Sequence, residues 1–148
     1  MKLLKIQEKV AAALGLVEAF KGVPVVVEDK GDVKARLEAA VAQASRCLLV
    51  QTPGFKATSS ASKVMVGTAT IVVQAIQKIV TTAKSTAQDM AEIVAWELNL
   101  LAVEGVGTIV FREITSQLLN DQTLAYAVRL EVQTTLGNPL DNGKEEAV

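Results

Sequence analysis

Residues Arg46–Ile79 read RCLLVQTPGFKATSSASKVMVGTATIVVQAIQKI, and their reading decides the fold. Cys47-Leu-Leu-Val50 is a strand signal, interrupted by Pro53-Gly54. Ala57–Lys63, ATSSASK, is small, polar and without periodicity, so it predicts a loop that is mobile in the free subunit and ordered on assembly. Val64–Ile79 is a long β-rich run, and the whole reads as a hairpin with an extended tip. Val64, Val66, Val72 and Ile76 fall on one face of that strand. Met65, Ala69, Ile71, Val73 and Ala75 fall on the other. Two apolar faces call for two covers. The second cover is either a helix of the same chain or a neighbouring subunit.

Outward from the hairpin, helices and strands alternate unevenly. Lys2–Phe20 carries Leu3, Ile6, Val10, Leu14, Val17 and Phe20 on one stripe and predicts a helix closed by Gly22 and Pro24. Val23–Glu28 predicts an edge strand, because Pro24 has no N–H to donate. Lys30-Gly31 turns the chain, and Asp32 caps a helix with Val33, Leu37, Ala40, Val41 and Ala44 buried. Lys84–Val103 predicts a third helix with Ala87, Met90, Ala91, Val94, Leu98 and Leu101 inward and Trp96 off the stripe. Its capping box is either Thr86 with Asp89 or Ser85 with Gln88. Thr108–Thr115 and Thr123–Thr134 predict an antiparallel pair around an Asn120-Asp121 turn. Leu124, Tyr126, Val128, Leu130 and Val132 are placed on the core side; Ala125, Ala127, Arg129, Glu131 and Gln133 are placed opposite. The order α-β-α-β-β-α-β-β predicts an α+β fold, helices packed on a largely antiparallel sheet. The domain is expected over residues 1–136, with 137–148 a flexible tail rich in turn formers and charge.

Composition narrows the chemistry. The 148 residues are 50% hydrophobic and 21% charged, with 15 Lys plus Arg against 16 Asp plus Glu, a net charge of -1. No general basic field draws nucleic acid or an anionic membrane. Histidine is absent from the sequence, which excludes imidazole-based triads, dyads and zinc sites. The longest run without charge, between Lys63 and Lys78, holds 14 residues, short of the ~18–20 that span a bilayer. The N-terminal MKLLKIQEK is interrupted by charge too early for a secretory leader, so a cytoplasmic protein is expected.

Each chemical motif has a plainer structural reading. Ser60-Ala-Ser-Lys63 matches S-x-x-K but falls in the hairpin loop, with no K-T-G to follow. Gly105-Val-Gly107 begins like a dinucleotide loop, yet it follows a helix, and it reads as helix termination. Asp89 and Glu92 suit the start of a helix. Cys47 is expected to be a buried structural thiol. Lys56, Lys63, Lys78, Lys84, Arg112 and Arg129 lack interleaved aromatics and read as solvated charge. No catalytic, cofactor or metal site is expected.

The element order and texture resemble the tail terminator and tail-completion proteins of long-tailed phages and prophages, the minor tail protein U type. The likeness runs from the helix at Lys2 through CLLVQTPGFKATSSASKVMVGTATIVVQAI and AQDMAEIVAWELNLL to TIVFREITSQLLNDQTLAYAVRLEV, roughly Lys2–Leu136. The helix after Val33 is longer than that pattern has between its first two strands. The resemblance implies a structural protein without catalytic residues. It would form a ring, typically a hexamer, that caps the tail tube, ends its polymerisation and meets the head connector. Its partners would be further copies, the tail tube protein and the head–tail connector. Its location would be the host cytoplasm during assembly and then the virion tail. The expected contact surface is Lys56, Thr58, Ser59, Ser60, Ser62, Lys63, Met65, Ile71 and Val73. The competing reading is a small cytoplasmic α+β adaptor or ligand-binding module.

Overall fold

The computed structural model describes residues 2–28, 32–59, 63–79 and 86–140. Helix α1 spans Lys2–Gly15 and is followed by one 3₁₀ turn, Glu18–Phe20. Strand β1, Val25–Val27, leads to helix α2, Val33–Ala44. Strands β2, Arg46–Ser59, and β3, Met65–Lys78, form the long hairpin. Helix α3, Ala87–Leu98, is followed by the short strand β4, Ala102–Val103, and by the closing hairpin of β5, Gly107–Asn120, and β6, Thr123–Leu136.

The six strands lie in the order β1-β2-β3-β6-β5-β4. The α+β class holds, but the sheet is mixed. Strand β1 runs parallel to β2, pairing Val25–Val27 with Leu48–Val50, because α2 crosses over between them. The expected order also lacked β4, which pairs Ala102 and Val103 with Thr108 and Gly107.

Helices α1 and α3 cover one face of the sheet. Ile6, Val10, Leu14, Met90, Val94 and Leu98 pack there on Leu48, Val50, Ile71, Val73, Val128, Leu130 and Val132. Burying each of these large side chains contributes ~1.5–3 kcal/mol. Helix α2 covers only a corner of the opposite face, where Ala40 meets Val26, Cys47, Leu49, Ile76 and Ala125. The second cover of β3 is therefore a helix of the same chain at Ile76. Farther along that face Val72 is half-buried and Val66 is exposed.

Local chemistry sets the boundaries. α1 ends at Gly15, short of the expected Phe20; Gly22 takes a φ of 81° but closes the 3₁₀ turn. The Asp32 carboxylate accepts from Ala35 N–H at 3.0 Å, as capping requires. At α3 the capping box is Thr86 with Asp89, and the Gln77 side-chain oxygen accepts from Ala87 N–H, tying β3 to the helix start. α3 stops at Leu98, so the expected helix to Val103 is too long. The expected loop at Ala57–Lys63 is too long as well: β2 runs on through Ser59, and Ser60–Ser62 lie outside the described residues. The expected strand Thr108–Thr115 extends to Asn120.

The β5–β6 register agrees with the period of two. Val128, Leu130 and Val132 are fully buried, Leu124 and Tyr126 half-buried, and Arg129 exposed. Ala125, placed on the polar side, is buried instead, because α2 sits over it.

Candidate interaction surfaces

The hairpin end gathers most of the expected contact residues. Lys56, Thr58, Ser59, Lys63 and Met65 are all exposed there, together with Val64 at 51% and Val66 at 46%. Ser60 and Ser62 lie outside the described residues. Ile71 and Val73 do not belong to this surface: both are fully buried under α1 and α3, in the chain's own core. The two strands approach closely at Gly67. A Cβ there would lie 2.2 Å from the Lys56 carbonyl oxygen, so only glycine fits. Register shifts at Gln51/Gly54 and Ala57/Ser59 bend β2 around this point. The Thr58 hydroxyl donates to the Val66 carbonyl at 3.1 Å and closes the end.

The face left bare by α2 is polar. A bulge between Phe111 and Glu113 puts Arg112 and Glu113 on the same side of β5. Arg112 then pairs with Glu131 at 3.0 Å, and Glu113 with Arg129 at 3.2 Å. Gln74 donates to Gln51 at 2.7 Å, and Gln51 to Glu28 at 2.5 Å. Half-exposed ion pairs of this kind add little stability, ~0–1 kcal/mol each.

The opposite face is apolar at its rim. Trp96 is 83% exposed, Leu100 68% and Leu118 61%. Trp96 and Leu100 line a groove of about 540 Å³ with Glu92, Ala95, Asn99, Phe111 and Ile114. This groove runs beside the outer edge of β5. Only the start of that edge is occupied: Leu100 N–H donates to Ile109, Ile109 N–H to Leu101, and Phe111 N–H to the Asn99 side chain. Among the described residues no strand pairs with the outer edge from Glu113 to Asn120. On the far side of the sheet β1 stops opposite Val50, with Glu28 N–H donating to Val50, and no described strand pairs with the outer edge from Thr52 to Ser59.

The chemical motifs take structural places. Gly105-Val-Gly107 is the β4–β5 turn rather than a helix stop. Lys9 and Lys2 of α1 donate to the Glu104 and Gly105 carbonyls at 2.5 and 2.9 Å, and a Cβ on Gly107 would lie 2.5 Å from the Gln133 carbonyl. Asp89 is engaged in capping. Cys47 is fully buried, and desolvation pushes its thiol up to about 12. Lys63 is exposed at the hairpin end. Among the described residues no cluster of three potential metal ligands occurs, and no helix is long and apolar enough to cross a membrane.

Trp96, Leu100, Phe111, Ile114 and Leu118 were not singled out as a surface by the sequence. Two signals were present: Trp96 lies off the α3 stripe, and Leu118-Leu119 stands next to a polar turn. No protein-family model matches the chain, and no curated protein matches it.

Proposed function

We propose that this chain is a structural subunit of a phage or prophage tail, assembling as a ring that caps the tail tube. The resemblance in element order suggests the class. The observation that carries the reading is the sheet itself: among the described residues no strand pairs with the outer edges of two long strands over much of their length, and exposed apolar side chains line one of them. A monomer rarely leaves such surfaces open, because both invite association. Capping requires no catalytic step. One ring face would match the end of the tube, and the other would reject a further tube ring and meet the head connector. Six copies is the number the resemblance implies, with assembly in the host cytoplasm and retention in the virion tail.

Sedimentation at micromolar concentration, alone and with purified tail tubes, tests this reading. Closed oligomers of about six copies, or density added at one end of the tube in negative-stain images, would support it. A monomer that also leaves tube ends bare would overturn it. A monomer that instead binds an unrelated protein through the Trp96 groove would favour the adaptor reading.

A further inference from the structure

We infer that the unpaired edge of β5 receives the unpaired edge of β2 from a second copy of this chain, so that the sheet continues antiparallel from subunit to subunit. This rests on the ring reading and adds to it the surfaces that join the copies.

Four observations select this occupant. First, the two open windows, Thr52–Ser59 and Glu113–Asn120, are equal in length and lie at opposite sides of one sheet. Their pairing is heterologous, the type that closes into rings. Second, β2, β3, β6 and β5 alternate in direction, so β2 and β5 run oppositely. Rotation about a ring axis then places a neighbour's β2 antiparallel to β5, continuing the alternation across the joint. Third, the β5 window is unguarded beyond Glu113 at its start. From Ile114 to Asn120 it has no proline, no lysine and no charge, the devices that normally blunt an edge. Pro53 and Lys56 on β2 restrict that edge to a matched partner; Pro53 lacks a donor and so limits the ladder at one end. The groove of Trp96, Leu100, Phe111 and Ile114 stands alongside to take apolar side chains from the incoming copy.

The fourth observation is geometric. Phe55, in the β2 window, is level with Ala69 of β3, whereas Ser116, in the β5 window, is level with Tyr126 and hence with Ala75. The windows are offset along the strands by about six residues, roughly 20 Å at ~3.4 Å each. Four strands at ~4.8 Å span roughly 19 Å. Joining window to window without a net rise therefore tilts the strands by roughly 45° to the axis, close to the 35–45° of closed barrels. The covers on the other halves of the two edges, β1 and β4, enforce that stagger.

Mixed single-cysteine cross-linking tests the joint. Cys47 is buried, so Lys56→Cys and Thr115→Cys, opposite each other when Phe55 lies opposite Ser116, each add one accessible thiol. Under mild oxidation, with tubes present if the wild type needs them, the mixture should give a disulfide dimer at least tenfold above either variant alone. The double variant should give a ladder of oligomers. Because the cross-link depends on register, Ser116→Lys with Leu118→Lys gives a second reading: these exposed positions should leave the monomer folded by circular dichroism and cut assembly at least tenfold. Self-cross-linking of Thr115→Cys would overturn the proposal in favour of a two-fold β5–β5 contact. Rings that persist in the lysine variant would overturn it while leaving the ring reading intact. A wild type that never assembles, with or without tubes, removes both.

Discussion

Val73→Glu separates the core of the chain from its surface. Val73 lies level with Val50 on β2 and Val128 on β6, and all three are fully buried beneath α1 and α3. Losing the valine forfeits ~1.5–3 kcal/mol of burial. A carboxyl without a partner adds ~1–3 kcal/mol even when protonated. Keeping it protonated at pH 7, against an unfolded value near 4.3, adds up to ~3.7 kcal/mol. The total, roughly 2.5–10 kcal/mol, is comparable with the ~5–15 kcal/mol stability of an ordinary domain. The variant should be largely unfolded at pH 7. Burial raises the folded carboxyl above its unfolded value, so the variant keeps its greatest stability relative to wild type below pH ~4 and loses it as pH rises. Urea titrations followed by circular dichroism at pH 4 and pH 7 measure this, with Val73→Gln as the variant lacking an ionisable group. A Val73→Glu chain that is folded at pH 7 within ~1 kcal/mol of wild type would refute the core placement and return Val73 to the contact surface.

Two further outcomes follow from local structure. The Cys47 thiol, fully buried and pushed up to about 12, should resist a disulfide reagent at pH 8 in the native protein and react completely in urea; its contribution to stability should fall as pH climbs from about 9 toward 12, and rapid native labelling would contradict this. Gly67→Ala should lower stability by about 1–3 kcal/mol, since the new methyl would meet the Lys56 backbone, and an unchanged urea midpoint would show that the strands do not close there.

Where a strand is buried on one side only, its alternation is readable: Val128, Leu130 and Val132 against Arg129 mark the β6 faces without any structure. Ala125 misleads because alanine fits either environment, and only the arrival of α2 decides that it is buried. The last residues of β5, Ser116 to Asn120, show no alternation, since both sides are exposed, and the strand is lengthened there by its pairing with β6. The parallel placement of β1 depends on where α2 crosses, a tertiary event with no local mark. The exposed hairpin end was legible for the same reason in reverse: Lys56, Thr58, Ser59, Lys63 and Met65 sit in a stretch whose polar composition marks it as solvated. The open edges were hidden, because being an edge is a property of missing neighbours, whereas Ile71 and Val73 look identical whether a helix or another subunit covers them.

The central ladder has a consequence for how the chain reaches this state. β2 with β3, and β5 with β6, are hairpins built from nearby residues. The β3–β6 ladder joins them and matches Met65 with Leu136, far apart along the chain. Contacts this distant close late and slow folding, since the intervening loop entropy is spent first. During synthesis β3 therefore emerges and waits, apolar on one whole face, until β6 leaves the ribosome. A transcript cut short before Thr123 would strand that surface, and its product should accumulate in inclusion bodies or be degraded, while a chain that continues through Leu136 seals the exposed ladder with β6.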